Sequence, residues 1–141
     1  MTPRIAVAAV TFDRPKELAV LLDSINAQSA AVDTICLVDS GTVPALDVAA
    51  KHPNVDYVRS EANLGGAGGF ALAALKAVAS GARWIWMMDD DAEPADPECL
   101  ATLLREAEAR DLEAVVPLVT APGQPDRLSF FFRLDGKVTH S

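Results

Sequence analysis

The chain has 141 residues, half of them hydrophobic and 23% charged, which is typical of one globular domain and not of a disordered segment. Its formal net charge of −8 leaves neither the basic face that binds nucleic acid nor the polybasic patch that binds an anionic membrane. The isolated cysteines and histidines argue against a zinc site, and no apolar stretch reaches the roughly 18 residues of a transmembrane helix, so we expect a cytoplasmic protein.

The first part of the chain alternates apolar runs with segments of helical periodicity. Strands are predicted at residues 4–11, 34–38 and 54–59. A helix should begin at Pro15, with Asp13 as its N-cap, and a shorter helix should lie near residues 44–51. The first helix is expected to bury one apolar face, formed by Leu18, Leu21, Leu22 and Ile25.

The middle of the chain is predicted to pass from a glycine-rich loop at residues 63–69 into a helix at 70–79 and then into a strand at 83–88. The helical spacing is marked by Leu72, Leu75, Lys76 and Ala79. After the strand, a further helix should open at 94–97. Its expected apolar face consists of Leu100, Leu103, Leu104 and Ala107.

The last part of the chain is predicted to be extended. A strand at 114–119 contains Pro117, which favours an edge position. Strands at 128–134 and 137–139 flank Asp135 and Gly136, a dipeptide that is typical of a hairpin turn.

Strands that alternate with helices predict right-handed crossovers and a mostly parallel sheet, in other words an α/β fold. No linker is evident, so we expect a single domain that covers residues 1–141. In such sheets ligands bind outside the carboxyl ends of the strands. Those ends carry Thr11, Asp39, the 63–69 loop and residues 89–91, and we therefore predict one site at this edge.

Residues 84–91 read WIWMMDDD, an apolar run that we expect to form a buried strand and that ends in three carboxylates. Because side chains alternate along an extended strand, Asp89 and Asp91 should point one way and Asp90 the other. Adjacent carboxylates repel one another, and Mg²⁺ or Mn²⁺ prefers oxygen ligands while keeping positions open for substrate phosphates. A divalent cation on Asp89 and Asp91 is thus the functional interpretation, and a solvated acidic turn is the alternative for the motif alone.

Residues 63–70 read NLGGAGGF. Glycines let the backbone approach a ligand closely, and a helix N-terminus offers N–H groups to an anion, although a helix that packs tightly on the sheet also explains glycines. Residues 66–71 also satisfy G-x-G-x-x-A, so a dinucleotide-binding oxidoreductase domain is an alternative. The five residues between the preceding strand and the glycines count against that alternative.

Two further side chains have polar groups suited to a nucleotide. Asp39 could accept hydrogen bonds from a base or from ribose hydroxyls, and the guanidinium fork of Arg14 suits a diphosphate. A turn-forming aspartate and an exposed arginine are the structural alternatives. Together with a carboxylate pair, these groups suit a nucleoside-diphosphate-linked donor whose leaving diphosphate is neutralised by a metal.

The order VTFDRP, VDSG, NLGGAGGF and WIWMMDDD resembles the nucleotide-binding half of inverting family 2 glycosyltransferases with the GT-A fold. The stretch NLGGAGGFALAAL, followed by WIW and DDD, is most similar to the galactofuranosyltransferases of mycobacteria and relatives, which build cell-wall galactan. The resemblance covers about residues 5–134. It implies a UDP-galactofuranose donor, Mn²⁺ or Mg²⁺, and a glycan or glycolipid acceptor, with a cytoplasmic enzyme that could lie at the inner face of the plasma membrane.

The resemblance also implies which residues bind the donor and the metal. Asp91 is the firmest metal ligand, beside Asp89. The implied nucleotide-sugar site consists of Thr11, Arg14, Asp39, Ser40, Asn63, Gly65, Gly66, Asp89 and Asp90.

Family members are considerably longer, and their acceptor half carries the general base that an inverting transfer needs, often with a histidine of the metal shell. After Asp91 no segment supplies an equivalent, since Asp126 and Asp135 resemble turn residues and His140 stands near the end. We therefore expect a truncated form with no catalytic residue, which binds nucleotide weakly and is a poor catalyst. The aromatic run at 130–132 could favour a homo-oligomer, and a non-catalytic assembly module is a third hypothesis.

Overall fold

Four parallel strands form the central sheet in the computed structural model, which describes residues 3–129, 132–134 and 137–139. The strands are β1 (Ile5–Thr11), β2 (Thr34–Asp39), β3 (Val55–Arg59) and β4 (Trp84–Asp89). Their order across the sheet is β3-β2-β1-β4, so the chain reverses its direction of progress across the sheet next to β1. The predicted mostly parallel α/β sheet is confirmed.

The helices that connect these strands are α1 (Pro15–Asn26), α2 (Leu46–Ala49) and α3 (Gly65–Ala79), and α4 (Cys99–Ala109) follows β4. Pro15 stands in the first turn of α1 as predicted, because its fixed φ suits a helix start and its missing N–H has no partner to lose there. The predicted N-cap is wrong. Arg14 occupies the N-cap position without a side-chain cap, and Asp13 adopts a positive φ of 56° instead.

The alternation of side chains along β1 creates one buried cluster on each face of the sheet. On one face, Val7 and Ala9 belong to a cluster with α1, whose four buried residues are the predicted Leu18, Leu21, Leu22 and Ile25. On the other face the cluster consists of small residues from the sheet and from α3, namely Ala6, Ala8, Cys36, Val38, Ala73 and Ala77. The sheet is therefore covered by helices on both faces.

The glycine-rich segment is helical and not a loop, which corrects the prediction. Helix α3 begins at Gly65 rather than at residue 70, and its buried residues are Gly69, Ala73 and Ala77. The predicted spacing residue Leu75 is 65% exposed. A Cβ at Gly69 would lie 2.9 Å from Cγ1 of Val10, so close packing of α3 on β1 requires glycine there.

Contacts divide the chain into two compact units, Met1–Ala101 and Thr102–Ser141. The predicted strand at 114–119 is wrong: these residues have no regular secondary structure, and Pro117 has no N–H to give to a ladder. An unpredicted antiparallel pair follows, made of β5 (Thr120–Ala121) and β6 (Gln124–Leu128).

The predicted terminal hairpin is confirmed in its backbone pairing. Strands β7 (Phe132–Leu134) and β8 (Lys137–Thr139) run antiparallel, with Leu134 opposite Lys137. The positions of Phe130, Phe131, Asp135, Gly136 and His140, together with the side chain of Phe132, lie outside the described residues. None of the helices described is both long enough and apolar enough to span a bilayer.

Gly69→Ala should lower the free energy of unfolding by about 1 kcal/mol or more. The added methyl would clash with Val10, whose β-branched side chain has restricted χ1 rotation. Gly66→Ala is the matched control in the same helix. Its Cβ meets nothing within 4 Å, so the higher helix propensity of alanine should leave stability equal or greater. Urea unfolding followed by circular dichroism measures both. A Gly69→Ala variant as stable as the parent would contradict the close packing.

Candidate functional site

A cleft of about 360 Å³ lies at the carboxyl ends of the strands. The register of the sheet assembles it, since Thr11 pairs with Asp39 and Val10 pairs with Asp89. The lining residues are Val10, Thr11, Phe12, Arg14, Ser40, Asn63, Gly65, Gly66, Asp89 and Asp90. Every residue predicted to bind the donor except Asp39 is among them.

The middle aspartate of the DDD motif is fixed to β1. Asp90 is 6% exposed, and its Oδ2 accepts hydrogen bonds from Oγ1 of Thr11 at 2.9 Å and from the N–H of Phe12 at 3.2 Å. Its other oxygen, Oδ1, lies 3.3 Å from Nη1 of Arg14. These three donors hold Asp90 as a structural anchor between the end of β4 and the end of β1.

The two flanking aspartates are exposed, whereas Asp90 is buried, although β4 ends at Asp89 and the next two residues form a turn. Asp91 forms an ion pair with Nη1 of Arg14. Asp89 has no side-chain partner among the residues that the structure describes. Partial burial, and then the nearby charges of Asp91 and Asp90, raise the pKa of the Asp89 carboxyl above its usual value. The site therefore holds more negative charge than Arg14 neutralises.

The carboxylates of Asp89 and Asp91 fit a hard divalent cation that takes its remaining ligands from elsewhere. Within the described residues, no group of three or more His, Cys, Asp or Glu side chains is arranged to hold a metal ion. Mg²⁺ is commonly held by one or two carboxylates together with substrate phosphates. Asp89 and Asp91 are the exposed carboxylates that could hold a cation of this kind.

Asp39 is fully buried beside the cleft and is not part of its lining. Its Oδ1 accepts from the N–H of Gly41 at 2.9 Å and from Nη1 of Arg59 at 3.2 Å. Its Oδ2 accepts from the N–H of Ala45 at 2.8 Å and from the hydroxyl of Tyr57 at 2.6 Å. These donors satisfy a carboxylate that could not otherwise be buried, and they hold the loop that follows β2.

Asp13 ties the loop after β1 to the loop after β2. Its carboxylate accepts from the N–H of Thr42 at 2.7 Å, the hydroxyl of Thr42 at 2.9 Å and the N–H of Val43 at 3.1 Å. A Cβ on Gly41 would lie 2.6 Å from Oδ1 of Asp13, so this approach requires glycine. These hydrogen bonds explain why the backbone of Asp13 lies in the left-handed region. They also hold the loop after β1 and the loop after β2 in fixed positions.

Phe12 is a lining residue that the sequence analysis missed. The residue is 43% exposed although it follows directly after a buried strand. The N–H of Phe12 is bonded to Asp90, so the position of the residue in the cleft is set by the sheet. The sequence could have indicated this residue, because Phe12 directly follows a strand that ends at the predicted ligand-binding edge of the sheet.

The first turn of α3 forms one wall of the cleft. Oδ1 of Asn63 accepts the N–H of Gly65 at 2.9 Å, and Gly65 has a positive φ of 60°, so glycine is favoured there by the backbone. Gly66 has no such backbone requirement, and its Cβ would meet nothing within 4 Å. Because N–H groups of a first helical turn lack intrahelical partners, this wall suits an anion.

The family model described as glycosyl transferase family 2 matches residues 6–132. Galactofuranosyltransferase GlfT1 of Mycobacterium tuberculosis is 43% identical over 137 residues, which are 94% of this chain and 45% of that protein. Galactofuranosyltransferase GlfT1 of Mycolicibacterium smegmatis is 40% identical over 134 residues, which are 94% of this chain and 44% of that protein. The chain thus spans a little less than half the length of these relatives.

Solved structures share the fold. S. aureus TarS 1-349 in complex with UDP-GlcNAc superposes with a TM-score of 0.61 at 18% identity, over 77% of this chain and 32% of that one. Mannosyltransferase PcManGT from Pyrobaculum calidifontis in complex with GDP-Man and Mn²⁺ superposes with a TM-score of 0.58 at 20% identity, over 86% of this chain and 37% of that one. The predicted GT-A fold is confirmed by this likeness.

Tyr57 is the only tyrosine of the chain, so its ionisation can be followed by ultraviolet absorbance without ambiguity. Burial, and then the hydrogen bond to Asp39, raise the pKa of Tyr57 from 10.0 to about 12. Because the folded value exceeds the unfolded one, the stabilisation by this hydrogen bond is complete below the unfolded pKa and is lost as the pH rises toward about 12.

Tyr57→Phe should therefore cost about 1 kcal/mol of unfolding free energy at neutral pH, and the difference between the two proteins should shrink between about pH 10 and 12. Urea unfolding of both proteins at several pH values measures the difference. A phenol that ionises at its ordinary value of 10.0 in the folded protein would show that the Tyr57–Asp39 bond is absent.

Proposed function

The chain belongs to glycosyl transferase family 2, and on that basis we propose that its cleft binds a UDP-linked sugar together with Mn²⁺ or Mg²⁺. The observation that carries the proposal is a single cleft lined by Asp89, Arg14 and the first turn of α3, with Asp91 paired to the guanidinium of that same Arg14. The proposed role of this domain in glycosyl transfer is to bind and orient the donor.

The nucleoside is proposed to lie against Phe12 and Ser40. The exposed ring of Phe12 offers an apolar face on which a base can stack, and stacking of this kind contributes about 1–3 kcal/mol per base. Direct recognition by Asp39 stays a prediction, since its carboxylate already accepts four hydrogen bonds from the protein. Asp39 supports the proposed pocket by holding the loop that carries Ser40.

The diphosphate is proposed to lie between Arg14, the first turn of α3 and the Asp89–Asp91 pair. Arg14 contributes a bidentate charged donor, and the helix turn contributes backbone N–H groups. A bound divalent cation would act as a Lewis acid that stabilises the negative charge developing on the leaving diphosphate. Gly65 and Gly66 keep this part of the cleft free of side chains.

The proposal extends to the identity of the transferred sugar and of its acceptor. Galactofuranose is proposed as the sugar because both relatives named above carry the name galactofuranosyltransferase. A glycan or glycolipid acceptor, reached at the inner face of the plasma membrane, is proposed only from the family resemblance of the sequence motifs.

The alternative of a dinucleotide-binding oxidoreductase domain is not supported. In the dinucleotide fingerprint the glycines form a tight turn between a strand and a helix. Here residues 60–64 separate β3 from α3, and Gly66, Gly68 and Gly69 already lie inside the helix. Membership of glycosyl transferase family 2 argues the same way.

UDP in the presence of Mn²⁺ should raise the melting temperature by about 5 °C or more at saturation, since a ligand at 100 times its Kd stabilises by about 2.7 kcal/mol. Asp91→Asn should remove the Mn²⁺-dependent part of the shift. Asp126→Asn, an exposed aspartate of β6, is the matched control and should leave the shift unchanged. A shift with NAD⁺ but none with UDP and Mn²⁺ would favour the oxidoreductase hypothesis, and no response to either ligand would favour an assembly module.

Gly66→Ala should weaken the binding of UDP with Mn²⁺ by about tenfold, because the new methyl projects into the space that the diphosphate is proposed to occupy. Isothermal titration calorimetry measures the affinity. Leu75→Ala alters an exposed residue of the same helix and should bind UDP as the parent does. Unchanged affinity in Gly66→Ala would place the ligand away from this wall of the cleft.

A further inference from the structure

Arg14 forms an ion pair with Asp91, one of the two carboxylates that are proposed to bind the metal. Its Nη1 forms an ion pair with Asp91 and a weaker contact of 3.3 Å with Asp90. The side chains of Arg14 and Asp91 are 49% and 56% exposed. Asp89, the other proposed ligand, has no side-chain partner within the described part of the chain. The guanidinium is thus the cation that the protein itself supplies to this acidic edge.

Simultaneous binding of a guanidinium and a divalent cation to one carboxylate oxygen is electrostatically unfavourable. Arginine has five N–H donors and no acceptor, so it cannot act as a ligand, and its charge repels a second cation close by. The contact with Asp91 therefore opposes metal binding at the site. In contrast, a diphosphate in the cleft would offer Arg14 an alternative anion with suitable geometry for its planar fork.

We propose that Arg14 acts as an exchangeable counter-ion, which occupies Asp91 until a nucleoside diphosphate draws it away and thereby leaves Asp91 free for the divalent cation. Cation and nucleotide then bind cooperatively, because each favours the same position of one side chain. The inference rests on the proposed function, since it takes the diphosphate to lie in this cleft.

The surroundings of Arg14 permit such a movement without any change of fold. Its backbone is held by the start of α1 ahead of Pro15, and its side chain makes no cap hydrogen bond to the helix. Asp90 would stay in place when Arg14 leaves, because Thr11 and Phe12 still donate to it. Exposed ion pairs of this kind are weak, so the exchange requires little free energy.

The experiment measures Mn²⁺ binding to the 141-residue chain by electron paramagnetic resonance, alone and with saturating UDP or uridine. Arg14→Gln should bind Mn²⁺ alone roughly three- to tenfold more tightly than the parent, because one competing positive charge is removed. UDP should increase Mn²⁺ affinity in the parent, and by a smaller factor in Arg14→Gln. Uridine, which lacks phosphate, should increase it in neither.

Two further variants separate the exchange from a general charge effect. Arg110→Gln removes an arginine that is 70% exposed and pairs with Glu106, four residues earlier in the chain. This variant should bind Mn²⁺ as the parent does. Arg14→Lys keeps the charge and should resemble the parent with Mn²⁺ alone. If Arg14→Gln binds Mn²⁺ no more tightly than the parent, or if UDP increases Mn²⁺ affinity by the same factor in both proteins, the exchange is wrong.

The experiment distinguishes failure of the proposed donor site from failure of the Arg14 exchange. If UDP does not bind the parent at all, the proposed donor site fails, whereas the result with Mn²⁺ alone still decides whether Arg14 competes for the carboxylate. If Asp91→Asn binds Mn²⁺ alone as tightly as the parent does, Asp91 is not a ligand and the exchange is overturned even where UDP binds.

Discussion

The anchoring of Asp90 to the end of β1 is the interaction on which the rest of the site depends. Three adjacent carboxylates repel one another, and the middle one can be buried only because fixed donors offset the loss of its hydration. Thr11 and the backbone of Phe12 provide those donors. With Asp90 buried, Asp89 and Asp91 are left exposed, and Asp89 lines the cleft.

A second set of polar contacts, buried at Asp39 and exposed at Asp13, positions the rim of the cleft. Asp39 accepts hydrogen bonds from β3 and from the loop between β2 and β3, and Asp13 joins that loop to the segment that carries Phe12 and Arg14. The sequence predicts a nucleotide-binding role for Asp39 and a helix N-cap role for Asp13. Their satisfied hydrogen bonds indicate that they organise the loops, and that the exposed groups beside them are the ones free to meet a ligand.

Much of this arrangement could be predicted from the chain alone. The strands and the buried face of α1 follow from periodicity, and the position of the site follows from the rule that ligands bind at the carboxyl ends of parallel strands. Periodicity misplaced the buried face of α3, because its contact with the sheet is made by Gly69, Ala73 and Ala77, which carry little hydrophobic signal. The glycines were read as a loop for the same reason, since propensity is overridden where close packing selects them.

Other features depend on contacts between residues far apart in sequence. The positive φ of Asp13 follows from its hydrogen bonds to Thr42 and Val43. No local sequence pattern predicts those hydrogen bonds. The placement of Arg14 against Asp91 joins residues that lie 77 positions apart. Such pairings are set by the topology of the sheet, and a motif can indicate the residue type at each end without indicating the partner.

The central claim is that a uridine diphosphate and a divalent cation meet at Asp89 and Asp91. A crystal of the protein grown with UDP and Mn²⁺, with data collected at the manganese absorption edge, tests it most directly. We expect an anomalous peak within bonding distance of both carboxylates and of the diphosphate, with the guanidinium of Arg14 turned toward phosphate. A manganese peak away from these aspartates, or a nucleotide bound outside the cleft, would contradict it.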